Sequence, residues 1–315
     1  MKIIPNKTIW LSISGLLMAA SIVAMMVYGF RLSADFAEGS LIGLQFKEQT
    51  TETTQPDATV LEVSQESFRE TLNAYTPAEG QESITGYDLK KSPDGQFILR
   101  TRRLPEEQKD SLLQYIRLSL GEFDILQSRD VSPLFAKAFR DRALLAIFAA
   151  SIMIICYITF AFRKVSRGIK SWKLGVAAVL ALIHNIVIIT GIFVVLGHLF
   201  QVEMDILFIT ALLSIMGYSI HDTIVVFDRV RENLLTKNHQ DSFEQVAEKS
   251  VQQTLARSIN TTFTTLLVLI PLLLWGATEI FNFVLALSMG FVIGTYSSIF
   301  IATPLLTYFE KAERR

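Results

Sequence analysis

Gly217-Tyr218-Ser219-Ile220-His221-Asp222-Thr223-Ile224-Val225-Val226-Phe227-Asp228-Arg229 closes an apolar run that begins near Met204, and the whole run is long enough to cross a bilayer. An α-helix rises about 1.5 Å per residue, so Asp222 lies roughly 8–9 Å inside the run's charged end at Asp228. A carboxylate at the bilayer centre costs about 2.5–3.5 kcal/mol on insertion scales. Such a group is kept where it faces a partner, a cavity or a proton path; the alternative is a helix-end Asp that reaches the interface.

Other apolar runs surround this one. They cover residues 9–30, 143–162, 174–196, 204–227, 258–275 and 281–309 of a 315-residue chain that is 50% hydrophobic and 19% charged. With a mean hydropathy of +0.39, that blockwise pattern defines a polytopic α-helical membrane protein with six transmembrane helices. The first run is longer than the usual apolar core of a signal peptide and reads as a retained anchor. A net charge of −1 argues against a nucleic-acid binder. The single cysteine, Cys156, excludes an intramolecular disulfide and reads as packing. The four histidines show no metal-ligand spacing, so neither metal nor cofactor is expected.

Residues 31–139 differ sharply, with 12 Lys/Arg against 18 Asp/Glu and no spanning run, and read as a water-exposed domain. The expected elements are a strand at 39–46, a polar loop at 49–57 and a helix at 64–75. Strands at 82–91 and 96–103 come next around Ser92-Pro93-Asp94-Gly95, then a helix opened by Pro105 at N1, and a last strand at 123–131. The order β-α-β-β-α-β is the ferredoxin-like pattern. The chain thus divides into residues 1–30 (N-terminus and first helix), 31–139 (small α+β domain) and 140–315 (helices two to six).

Lys and Arg flank the N-terminus, the loop after the second run, the segment after the fourth and the C-terminus, while the opposing short loops have none. By the positive-inside rule both termini are cytosolic and residues 31–139 are extracytoplasmic. The polar segment at 228–257 carries a capping-box pattern at Ser242 and Gln245, with Val246, Ala247, Val251 and Leu255 at helical spacing. It reads as an amphipathic helix on the membrane surface or under the bundle.

Several polar residues fall inside the apolar runs. Ser214, Tyr218 and Asp222 share one helix side; His184, Asn185, Asn260, Thr261, Thr262, Thr264 and Thr265 line two others. Arg257 is the evident basic partner for Asp222, although an Arg at a helix end also snorkels into headgroups. Ser219, His221 and Thr223 flank Asp222. Imidazole titrates near neutrality, but successive helix residues point about 100° apart, so His221 can face elsewhere. Gly290 and Gly294, with Gly217, read as helix-packing positions, and Glu279 as a solvated loop residue.

The motif from Gly217 through Asn233 closely resembles the fourth transmembrane segment of the SecF family of protein-export membrane subunits, and the resemblance extends over nearly the whole chain. Gly294-Thr-Tyr-Ser-Ser-Ile-Phe-Ile-Ala302 is similar to the family's last helix, Asp35-Phe36-Ala37-Glu38-Gly39 to its Asp-Phe-x-Gly-Gly element, and Ser132-Pro133 to its Gly-Pro. Three departures stand out: His221 replaces an Asn, Glu38 a glycine, and Asn185 the Asp of a His-Asp pair, which removes a second acidic site. The resemblance implies proton transport at the Asp222 and Arg257 positions, and a SecD partner supplying a second six-helix half in a resistance-nodulation-division-like unit. It also implies work on secretory preproteins at the SecYEG translocon of the bacterial inner membrane, with YajC and YidC as further candidate partners. No nucleophile-base set, phosphate loop or nucleotide motif points to an enzyme, so an ion gradient or a partner's work would drive such a machine. A scaffold subunit, with protons carried by the partner alone, is the alternative.

Overall fold

The computed structural model of the chain describes residues 2–33, 39–47, 63–77, 84, 87–92, 95–102, 104–131, 133–163, 170–236, 241–277 and 280–313. The expected features at 35–38 and 49–57, and those involving Glu82, Pro93, Asp94, Ser132 and Glu279, lie outside them. The chain falls into two compact units, Leu32–Asp141 and Met1–Arg31 together with Arg142–Arg315.

The smaller unit runs β1 (Gly39–Phe46), α2 (Gln65–Ala74), β2 (Asp88–Lys91), β3 (Phe97–Thr101), α3 (Glu106–Leu120) and β4 (Phe123–Val131), after the chain's first helix α1 (Lys7–Tyr28). The four strands form one sheet in the order β2-β3-β1-β4, with every neighbouring pair antiparallel. Alternation explains the core: Phe97 and Leu99 on β3 turn inward to meet Ile42, Leu44, Phe68, Leu72, Leu112 and Ile116. Phe46 sets its ring edge-on against Phe68, Phe97 and Phe123 at 5.6–5.7 Å. Ser64 caps α2 by accepting from Ser67 N. Pro105 stands one position earlier than its sequence suggests, at the N-cap of α3 rather than at N1.

Six helices among the described residues are long and apolar enough to cross a membrane: Lys7–Tyr28, Lys137–Ala161, Ser171–Phe200, Ile206–Leu235, Phe243–Trp275 and Phe281–Lys311. They comprise α1, α4 (Pro133–Ala161), α5 (Ser171–Phe200), α6 (Ile206–Leu235), α7 (Phe243–Trp275) and a last span built from α8 (Phe281–Ser297), a π-helical turn (Ser298–Ala302) and α9 (Thr303–Glu313). The most apolar windows of α5, α6 and the last span are 56%, 44% and 67% buried, against 11–17% for α1, α4 and α7. The former three therefore make the centre, and the others present Leu16, Leu145, Phe148, Met153, Phe263 and Val268 outward. Cys156 is exposed on α4, so it does not fill the core as expected: α4 buries few of its side chains.

The segment at 228–257 is not a separate surface helix. The first part continues α6 to Leu235, and the second is the opening of α7, which starts from a complete Ser242–Gln245 capping box. Thirty-three residues make α7 roughly 50 Å long, against the ~30 Å of a hydrocarbon core, so its first turns can stand clear of the apolar layer. There Phe243, Val246 and Ala247 pack with Phe227, Val230 and Leu234 of α6.

Two glycines bring α6 and α8 together. A Cβ on Gly290 would run into the side chain of Ile215, and one on Gly294 would stand 3.1 Å from Ser219 Cβ. Gly217 does not share this role: a Cβ there would meet nothing within 4 Å. Two positions on from Ile215 is about 200° around the helix, which turns Gly217 away from α8. The π turn arises at Pro304, which lacks the N–H for an ordinary helical bond and whose ring crowds the carbonyl four residues back.

Candidate functional site

Asp222 is 8% exposed, enclosed by α6, α7 and the π turn. Ser258, one residue beyond Arg257 on α7, donates its hydroxyl to Asp222 Oδ1 at 2.5 Å. Asp222 Oδ2 is buried with no hydrogen-bond partner among the described residues; Ser298 approaches the carboxylate outside hydrogen-bonding geometry. His221 and Arg257 lie within electrostatic reach. Both are exposed, and no ion pair joins Arg257 to Asp222 among the described residues. The short-range partner of the acid is thus a serine, while the guanidinium acts at longer range.

A network of buried hydroxyls and amides extends from this carboxylate. Thr223 shares a 2.8 Å hydrogen bond with Ser298, and Ser298 in turn donates toward Gly294 O and Ser219 O. Asn185 Nδ2 on α5 donates to Ser219 Oγ at 2.9 Å, and Asn185 Oδ1 meets His184 Nδ1 at 3.1 Å. His184 and Asn185 are 2% and 1% exposed, and His184 Nε2 finds no partner among the described residues. Toward the far end of α7, Tyr218 OH meets Thr262 Oγ1 at 3.1 Å, and Thr262 is hydrogen-bonded to Thr295.

Most of the polar residues singled out in the sequence therefore meet in space: Asp222, Ser219, Thr223, Tyr218, Thr262, His184 and Asn185 belong to one interior. Others do not join it. His221, Thr261, Asn260 and Thr264 are exposed, and Thr261 bonds back to Arg257 O within its own helix. Ser214 likewise bonds back to Thr210 O within its own helix. Sequence reasoning missed Ser258 and Thr295, and it gave Ser298 no place beside the acid. The available signal was the i, i+4 spacing of Ser258 and Thr262 together with Pro304, which breaks the ladder just beyond Ser298.

This geometry holds an acid in a polar pocket without a countercharge in contact, where gain or loss of one proton changes the local charge outright. Among the described residues no group of acids, histidines and cysteines is arranged to hold a metal.

Residues 114–312 match the family model described as "Protein export membrane protein SecD/SecF, C-terminal". The chain is 38% identical over 308 residues to protein translocase subunit SecF of Thermobaculum terrenum, covering 96% of this chain and 91% of that one. It is 32% identical over 317 residues to SecF of Anaerolinea thermophila, covering 100% and 96%. The crystal structure of SecDF, a translocon-associated membrane protein from Thermus thermophilus, superposes with a TM-score of 0.79 at 29% identity. That match covers 99% of this chain, which spans 39% of the SecDF chain.

Proposed function

The chain belongs to the SecF family of protein translocase subunits, and from that membership we propose that it is one half of a SecDF assembly promoting protein export by proton motive force. Its partner is SecD, which supplies the second half of a resistance-nodulation-division-like unit; the SecDF chain that it matches in part supports this. The assembly lies in the bacterial inner membrane beside SecYEG, with YajC and YidC as neighbours, and acts on the emerging preprotein. Both termini are cytosolic and the sheet unit is extracytoplasmic, from the Lys/Arg asymmetry of the loops. Its element order and its strand order support a ferredoxin-like reading. The exposed polar row of α6 and α7, with Gly217, His221, Arg257, Asn260 and Thr261, is the face that SecD would cover. The subunit is a transporter component rather than an enzyme.

The observation that carries the reading is the buried Asp222 carboxylate, with one oxygen taken by Ser258 and the other open to a proton. Burial and a nearby guanidinium act in opposite senses on a carboxylate's hold on its proton. Movement of Arg257, or of the helix carrying Ser258, would then switch Asp222 between holding and releasing one. A charge crossing 100 mV is worth about 2.3 kcal/mol, enough to shift a two-state helix arrangement.

The test is Asp222→Asn in membrane vesicles carrying the assembled SecD–SecF pair. Proton-driven export should fall to the level without a gradient while assembly is kept; full export would overturn the reading. A scaffold role, with protons carried by SecD alone, draws on the lack of an Asp222–Arg257 ion pair among the described residues. That role predicts export unchanged by Asp222→Asn but lost on deletion of residues 31–139.

A further inference from the structure

The turn before α1 is held in an unusual way. Ile3 and Ile4 are 0% and 1% exposed, and their consecutive backbone N–H groups both donate to the carboxylate of Glu248 on α7. Ile3 N lies 3.1 and 3.0 Å from its two oxygens, and Ile4 N lies 2.7 Å from Oε2. Two successive amides on one carboxylate form an anion nest. Gln252 Nε2 fixes the same carboxylate at 2.7 Å from the next turn of α7. The turn is closed by Asn6 N on Ile3 O and Lys7 N on Ile4 O. Lys7 then ties it down through Glu244 and Thr307.

The two isoleucines enter different parts of the bundle. Ile4 joins the cluster of Phe227, Val246, Ala247 and Leu306. Ile3 packs with Val226, Val251 and Ile299, with Trp10 and Phe300 beside them. Each of those partners is tied to the acid site by sequence. Val226 is one turn, about 6 Å, beyond Asp222; Val251 is about 10 Å before Ser258; Ile299 adjoins Ser298 on the π turn. Ile3 therefore joins a buried apolar layer at the level between Asp222 and the end of the bundle where α1 begins.

We propose that the turn at residues 2–6 is a plug closing the approach to Asp222 from this end, the cytosolic one by the Lys/Arg asymmetry, and that Glu248 is its latch. The inference rests on the proton-coupling reading, because a plug matters only if Asp222 must meet one side of the membrane at a time. Ile3 and Ile4 close the layer with side chains carried on a short turn rather than on a spanning helix. Opening requires release of two amides from one carboxylate and slack in the Lys7 ties to Glu244 and Thr307, with no movement of α6, α7 or α8. The plug thus supplies the gate on one side, and helix movement supplies the other.

The experiment measures access rather than export. In a Cys156→Ala chain assembled with SecD, Thr254→Cys places a thiol on α7 between Val251 and Ser258, at a position 4% exposed. Ser288→Cys, 8% exposed on α8, is the control thiol. A charged, membrane-impermeant methanethiosulfonate is added to inverted vesicles, with the cytosolic face outward. Glu248→Ala should speed reaction at Thr254→Cys by about 10-fold or more, the factor expected on loss of one charge-assisted hydrogen bond. Ile3→Ala keeps the amide but withdraws the side chain from the apolar layer, and should speed the reaction as well. Reaction at Ser288→Cys should stay unchanged, and Glu248→Gln should fall between parent and Glu248→Ala. Equal rates at Thr254→Cys in the parent and both variants would overturn the plug, as would parallel increases at both thiols, which indicate general loosening. Thiol rates need no proton flow, so they judge the plug even if Asp222→Asn leaves export intact and the proton reading fails.

Discussion

Replacing Ser258 by Ala removes the 2.5 Å hydrogen bond to the Asp222 carboxylate, made between residues 1% and 8% exposed. Two scales bear on its worth. Hydrogen bonds to charged groups contribute about 1.5–3 kcal/mol in soluble proteins, whereas hydrogen bonds between membrane helices average about 0.6 kcal/mol with a maximum near 1.7. The lower scale describes side chains that find other partners once displaced. Asp222 Oδ2 already lacks one among the described residues, so the upper part of the membrane range applies. A coupling of about 1–2 kcal/mol corresponds to a factor of roughly 5–30. The expected result is a fall of roughly 5–30-fold in proton-coupled export by Ser258→Ala vesicles, largely restored in Ser258→Thr, which keeps the hydroxyl. In an Asp222→Asn background Ser258→Ala should have no further effect, because the serine acts through the acid. Additive losses in the double variant, or full activity in Ser258→Ala, would refute the assignment of Ser258 as the acid's partner.

The glycine contacts of α6 give opposite outcomes at two positions. Gly290→Val forces its side chain into Ile215 and should destabilise the helix pair by about 1–3 kcal/mol, read as a lower midpoint in a detergent unfolding series; Gly217→Ala meets open space, favours the helix and should raise that midpoint slightly. In the smaller unit, Lys109 is 7% exposed and pairs with Asp130 at 2.8 Å and Glu106 at 3.0 Å, and the Asp130 hydrogen bond raises its pKa above the ordinary lysine value. Its contribution is complete below about pH 10.5 and is lost as pH rises through the raised folded value. Hydrogen exchange in α3 and β4 of the full chain should therefore quicken only in that alkaline window, and Lys109→Met should remove the pH step.

Much of the architecture is legible along the chain because apolar length and strand alternation are local. The boundaries of β1 and β4 match their expected residues, and the six apolar runs correspond to six long helices. The capping box at Ser242 was readable from two residues three apart. The fate of the helix it opens was not: whether α7 begins there or a separate surface helix forms depends on α6 offering Phe227, Val230 and Leu234 to the first turns. Gly217 fails as a packing residue for a similar reason, since a glycine says that a close approach is tolerated and not which neighbour arrives.

By itself the sequence determined the membrane class, the number of spans and the presence of an acid where lipid would not tolerate one, because each follows from hydropathy summed over neighbours in the chain. Only the tertiary structure decided what that acid touches. Arg257 and Ser258 are adjacent on α7, yet a step of about 100° between them turns the guanidinium outward and the hydroxyl onto Asp222. The same holds for Ile3 and Glu248, which are 245 residues apart: no local pattern links an isoleucine amide to that carboxylate, and only the packing of the helices brings them within 3.1 Å.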